Sequence, residues 1–191
     1  MTVRQAQIKE QAQDIDRQLR LLETTIKRLR KDDSIMTYNV ALKTIPERYV
    51  ASVRQVIPAY DQEYLLWQIL NEETAQHPLQ CAEPSYSLAR FHDEGFKEHD
   101  VDVEIQVAIK GTYQDTAHVR FKTEPAVTVA SATYKGSYEQ LTAVNEVVAN
   151  WVNDNGYAFD GVMFCIYHVS PAQTQDPNEL VTEVCCPVKR K

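Results

Sequence analysis

The chain has 191 residues, 43% hydrophobic and 25% charged, with a formal net charge of −7. That length holds one good core plus an extension, and the acid excess argues against a nucleic-acid-binding surface, which is normally basic. No apolar run approaches the roughly 18–20 residues of a membrane span and the polar N-terminus does not read as a signal peptide, so a cytoplasmic protein with no membrane partner is expected.

Residues 5–31 read as one helix. Ile8, Ala12, Ile15, Leu19, Leu22, Ile26 and Leu29 recur at alternating spacings of four and three, an a/d seam sustained for three heptads. Charges flank it on both sides, and the stripe is narrow. Such a seam can pack on its own domain, but at a chain terminus it favours the same helix of a second chain. A homodimer through a coiled-coil helix over residues 1–33 is therefore expected. Lys27, Arg28, Arg30 and Lys31 suit the negative end of the helix dipole and read as a solvated helix end.

After a polar break at Lys31–Ser34, a strand begins over Tyr38–Leu42. Pro46 interrupts it, and Tyr49–Val56 continues as β. A helix over Tyr60–Thr74 follows, with Tyr60, Tyr64, Trp67 and Leu70 on one face. Tyr86–Phe91 and Val101–Ile109 read as strands. The order then recurs: strand Thr128–Tyr134, helix Tyr138–Asn153 stopped by Asn155-Gly156, and strands Gly161–Val169 and Leu180–Val188. Lys189–Lys191 reads as a disordered basic tail.

The recurrence is written into the residues. Lys43-Thr44-Ile45-Pro46 leads into Val50-Ala51-Ser52, and seventy-nine positions later Lys122-Thr123-Glu124-Pro125 leads into Val129-Ala130-Ser131. Val103-Glu104-Ile105 and Thr182-Glu183-Val184 keep the same offset. A fixed offset at both ends implies a duplicated unit, repeat 1 over 38–109 and repeat 2 over 119–188. Each unit is strand, helix, strand, strand. Residues 34–191 are thus expected to form an α+β, pseudo-twofold domain with an antiparallel sheet, helices on one face and a cleft between the halves.

Two acids stand out. Along Val101–Ile109 the valines and isoleucines alternate with Asp102, Glu104 and Gln106, so Glu104 points away from the helix layer. Glu183 does likewise on the last strand, beside Val181 and Cys185. An acid in apolar surroundings either has a raised pKa or holds a cation, which makes Glu183 the better ligand-contacting candidate and Glu104 the second. Tyr134 and Tyr138 flank the turn before the second helix, Tyr60 holds the matching place in the first copy, and Tyr86 and Phe164 lie on matching inner strands. An acid ringed by aromatics suits a lipophilic cation, although any one of these tyrosines is more often a core or rim residue than a ligand contact. Trp67 and Trp151 read as core. His92 and His168 occupy similar places in the two copies.

No catalytic, cofactor or metal signature is present. The four cysteines, Cys81, Cys165, Cys185 and Cys186, make no C-x-x-C pair and read as reduced structural thiols, with Cys185 and Cys186 on opposite faces of a strand. Five glycines form no phosphate loop.

Tyr134-Lys135-Gly136-Ser137-Tyr138-Glu139, Trp151-Val152 with Asn155-Gly156-Tyr157, Tyr167-His168-Val169-Ser170-Pro171 and Thr182-Glu183-Val184 with Pro187-Val188, together with the duplication, resemble the GyrI-like effector-binding domain. The heptad helix ahead of them resembles the dimerisation helix of MerR-family transcription regulators that carry this domain. The resemblance implies a non-enzymatic ligand sensor: a small-molecule effector, lipophilic and often cationic, in the cleft between the halves. It implies DNA contact only through a winged helix-turn-helix domain ahead of the coiled coil, which is expected to be missing here, the chain being either an excised fragment or a stand-alone protein. Some multidrug-sensing members place their cation-binding acid on the strand before His-x-Ser-Pro, where this chain has Val162. That shifts the expectation to Glu183, whose position on the family's last strand is matched.

Two other readings remain open. The resemblance also allows an enzyme: some GyrI-like proteins are hydrolases of reactive electrophilic small molecules, and Glu183 beside a Tyr and a Trp would be the acid that activates water, although the coiled coil argues against it. A protein-binding adaptor that grips a partner with its sheet face is the third.

Overall fold

The computed structural model describes residues 38–191; the expected dimerisation helix lies outside the described residues. Among the described residues the elements run β1 (Val40–Ile45), β2 (Arg48–Ile57), α1 (Tyr64–Thr74), β3 (Gln80–Cys81), β4 (Ser87–Phe91), β5 (Val101–Lys110), β6 (Val119–Glu124), β7 (Val127–Lys135), α2 (Leu141–Asp154), β8 (Tyr157–Phe159), β9 (Phe164–Val169) and β10 (Val181–Arg190). A single 3-10 turn leads into each helix, Tyr60–Gln62 before α1 and Tyr138–Gln140 before α2.

All the strands join one antiparallel sheet in the order β1-β7-β10-β9-β4-β5-β2-β6, with β3 added to β5 and β8 to β10. The α+β class and antiparallel sheet agree with the expectation. The order also shows the two halves meeting at the β4–β9 seam, where Ala89 faces Cys165.

The expected single strand interrupted by Pro46 is corrected to two strands in different halves. β1 borders β7, and β6, seventy-nine positions later, borders β2. Each edge strand thus pairs with the hairpin of the other half. Pro46 and Pro125 stand in the two links because proline donates no ladder hydrogen bond and turns the chain out of the strand. The tail is also corrected: β10 continues to Arg190, because Val188, Lys189 and Arg190 pair with Phe159, Ala158 and Tyr157 of the short strand β8.

Both helices lie on one side of the sheet. Leu66 and Leu70 of α1 pack on Ala51, Val53, Val103 and Ile105; Val144, Val148 and Val152 of α2 pack on Ala130, Ala132 and Val184. Spacings of four put each set on one helix face, and burying each side chain stabilises by roughly 1.5–3 kcal/mol. Gly156, at φ +75°, ends α2 in the left-handed conformation. On the other side of the sheet Ile45, Leu88, Val129, Phe164, Ile166 and Cys185 form a third cluster. Cys186 lies in the helix-side core, so the adjacent cysteines take opposite faces, as the alternation predicts.

Candidate functional site

The strip of sheet between the helices is aromatic, and the duplication explains its layout. At the head of each helix a tyrosine meets an aromatic of the seam edge to face: Tyr60 with Phe91 at 5.7 Å and Tyr138 with Tyr167 at 6.1 Å between ring centroids. Phe91 and Tyr167 each pack against both helix-side cores and so bridge the halves. Phe96, 82% exposed, stacks on Tyr60 at 5.7 Å.

One acid breaks the symmetry. Glu63 closes the 3-10 turn ahead of α1, where the second half has Leu141. Its two oxygens are held separately: the Trp67 indole Nε1–H donates to Oε1 at 2.8 Å, and the Tyr167 hydroxyl donates to Oε2 at 2.7 Å. Trp67 is one helical turn further along α1; Tyr167 reaches across from β9. Among the described residues no cation pairs with Glu63. Burial pushes its carboxyl pKa up, opposed by these two hydrogen bonds. The Tyr138 phenol is pushed up to about 12, by burial first and then by the Glu63 charge. A half-hidden acid fixed by the neutral donors Trp67 and Tyr167, with Tyr138 near enough to feel its charge, can receive an organic cation or act as a general base.

The seven sequence candidates do not share one cleft. Tyr60, Tyr138 and Tyr134 lie on the helix side, Tyr134 buried beneath α2 with Tyr38 against its edge at 6.3 Å. Glu104, Glu183, Tyr86 and Phe164 lie on the opposite side.

There the two acids stand in matching clusters. Glu104, 3% exposed, binds Lys122 Nζ at 2.7 Å, Ser52 Oγ at 2.6 Å, His92 Nε2 at 2.8 Å and Gln106 Nε2 at 2.8 Å. Glu183, 4% exposed, binds Lys43 Nζ at 2.6 Å and His168 Nε2 at 3.0 Å, with Ser131 as a further donor. Lys43 and Lys122 come from the exchanged edge strands, so each acid fastens a swapped strand to its host half. Burial alone would raise both carboxyls. Lys122, Ser52 and Gln106 outweigh it at Glu104, and His168, Lys43 and Ser131 at Glu183, leaving each at about 2. Both acids therefore already hold a cation of this chain. The contrast drawn from sequence, polar around Glu104 and apolar around Glu183, holds in their neighbours, Gln106 and Glu124 beside the one and Ile166 and Cys185 beside the other, but both acids are ion-paired with a lysine.

An open recess of about 380 Å³ beside Glu104 is lined by Arg54, His118, Arg120 and Lys122 among others. Its basic side chains have acids of their own: Arg54 binds Asp102 at 2.6 Å, the His118 ring meets Glu73, and Arg120 lies 3.7 Å from Asp115.

Sequence reasoning missed Glu63; its placing of Trp67 in the core of the first helix agrees with the packing, and the indole N–H serves Glu63 besides. The available signal was the i, i+4 pairing of an acid with a tryptophan at a helix start, in only one of two copies.

Residues 38–189 match the GyrI-like small molecule binding domain. No curated protein matches the chain by sequence. Among solved structures, the C-terminal domain of EcmrR is 30% identical with a TM-score of 0.76, covering 82% of this chain and 100% of that one. EcmrR bound to DNA in a complex termed EcmrR-RPo is 28% identical with a TM-score of 0.78, covering 98% of this chain and 70% of that one. Two more distant structures share the fold: a hydrolase from Listeria innocua (12% identity, TM-score 0.58, 84% of this chain and 97% of that one) and SAV2435 bound to tetraphenylphosphonium (14%, 0.52, 81% and 94%). Among the described residues no helix is long and apolar enough to cross a membrane.

Proposed function

The chain belongs to the GyrI-like small molecule binding domain family, and from that premise we propose that it is the effector-binding and dimerisation module of a transcription regulator, taking a lipophilic cation between its two helices. Glu63 carries the reading. It is the acid of the aromatic strip that has no cation beside it among the described residues, whereas Glu104 and Glu183 are already paired with lysines. An organic cation there gains both charge and cation–π attraction. The likeness to EcmrR supports the regulator assignment, and the tetraphenylphosphonium named with SAV2435 supports the ligand class by analogy of fold.

In this proposal residues 1–33 pair two copies, and the effector biases how the paired subunits sit relative to each other. DNA contact belongs to a separate domain of the regulator, in keeping with the acidic charge of this one. A thermal-shift panel of lipophilic cations, neutral drugs and organic acids tests the reading. Stabilisation by the cations alone supports it; stabilisation by acids alone, or by none, refutes it.

A second reading has an observation of its own. Glu63 stands beside Tyr167 and Trp67 with a raised pKa, the arrangement a general base for water needs, and the Listeria innocua hydrolase shares the fold. Turnover of an electrophilic substrate by the wild type and not by Glu63→Gln would establish it.

A further inference from the structure

On the side of the sheet away from the helices, the two halves differ in chemistry at matched positions. Ile45, Val127, Ile166 and Cys185 of one half are apolar and pack together. The positions seventy-nine residues from Ile45, Val127 and Cys185 are Glu124, Arg48 and Gln106. Arg90 faces Glu104 in the β4–β5 ladder just as Ile166 faces Glu183 in β9–β10. One lobe is thus apolar and its counterpart charged.

The charged lobe is incompletely satisfied. Glu124 accepts from Arg90 Nη1 at 2.8 Å, Lys122 Nζ at 2.9 Å and Gln106 Nε2 at 3.0 Å. Arg48 is 9% exposed and its guanidinium lies 6.0 Å from the Tyr86 ring centroid. Its Nε and Nη1, together with Arg90 Nε and Gln106 Oε1, are buried with no hydrogen-bond partner among the described residues. Buried N–H groups of a charged side chain are seldom left so. Glu124 already serves Arg90 and Lys122, so Arg48 is the surplus cation of this lobe. Burial pushes its pKa down, against the pull of Glu124.

We propose that Arg48 and Arg90 together hold a small monovalent anion of chloride size, seated on their unpartnered N–H groups beside Tyr86. The orphaned atoms are shielded from solvent, which excludes a bulky organic acid. Water would accept from the same donors but leave the charge of Arg48 unbalanced. The anion has a structural consequence. Arg48 ends the β1–β2 link and Glu124 begins the β6–β7 link, so it fastens the two crossings through which the halves exchange their edge strands. This site is separate from the inter-helix strip and does not depend on the function proposed there.

Crystals soaked in sodium bromide should give an anomalous peak within hydrogen-bond reach of Arg48 Nε and Arg90 Nε. In solution the melting temperature should rise saturably with sodium chloride, measured against sodium gluconate at equal ionic strength. Arg48→Met should abolish that dependence. Glu124→Gln, which removes the competing carboxylate, should lower the half-saturating chloride concentration several-fold and provides the test if Arg48→Met does not fold. Water in place of bromide, or an unchanged chloride dependence in Arg48→Met or Glu124→Gln, would overturn the proposal.

Discussion

The Tyr167 hydroxyl, on β9 of one half, donates at 2.7 Å to the Glu63 carboxylate at the head of α1 in the other. This bond ties the halves together across the β4–β9 seam and holds an acid that burial would rather see neutral. The folded pKa of Glu63 lies above its unfolded value, about 4.3 for a glutamate. Its stabilising contribution is therefore complete below that value and is lost as pH rises through the folded pKa. Glu63→Gln should flatten the loss of melting temperature as pH rises above about 4.3 and leave the mutant at least as stable as wild type at pH 7. Thermal unfolding of both proteins from pH 4 to 9 checks this.

Glu104 and Glu183 have the opposite sign. Both are depressed to about 2, so their stabilisation is present above about pH 4.3 and is lost as pH falls towards 2. Two units correspond to roughly 2–3 kcal/mol for each. Acid unfolding should steepen below about pH 4, and Glu104→Gln should remove part of that steepness.

Removing an acid outright should cost more than neutralising it. Glu104→Ala leaves the Ser52 hydroxyl without its acceptor and Lys122 and Gln106 with Glu124 alone, with an expected loss of about 1–3 kcal/mol. Lys122→Met, which removes the cation instead and leaves Glu104 buried, should also destabilise. Urea unfolding midpoints at constant m-value measure both.

Phe96 tests the aromatic strip independently of charge. It is 82% exposed and stacks on Tyr60, so Phe96→Ser should change stability by less than about 0.5 kcal/mol. It should nonetheless weaken tetraphenylphosphonium binding, as read by calorimetric titration.

Gly156 holds φ +75° with open space around it. Gly156→Ala should therefore cost about 1 kcal/mol through backbone strain alone, measurable as a lower urea midpoint without loss of ligand binding.

The α+β class and the antiparallel sheet were legible, and the alternation along β5 and β10 turned Glu104 and Glu183 away from the helices. The exchange of β1 and β6 was not legible. Hydrophobic period reports which face a strand buries, not which strand lies beside it. β8 is three residues long, too short to show a period, and with it went the ordered end of β10. Glu63 was hidden by its position: an acid in the first turn of an amphipathic helix reads as a partner for the helix dipole. Only the fold brings Tyr167 from more than a hundred residues away to its carboxylate.

Calorimetric titration of tetraphenylphosphonium into the wild type, Glu63→Gln and Glu183→Gln tests the central claim most directly. The account predicts that Glu63→Gln loses at least about tenfold in affinity, roughly 1.4 kcal/mol, while Glu183→Gln binds as the wild type does. Unchanged binding by Glu63→Gln, with the loss falling on Glu183→Gln, would contradict it and move the site to the opposite side of the sheet.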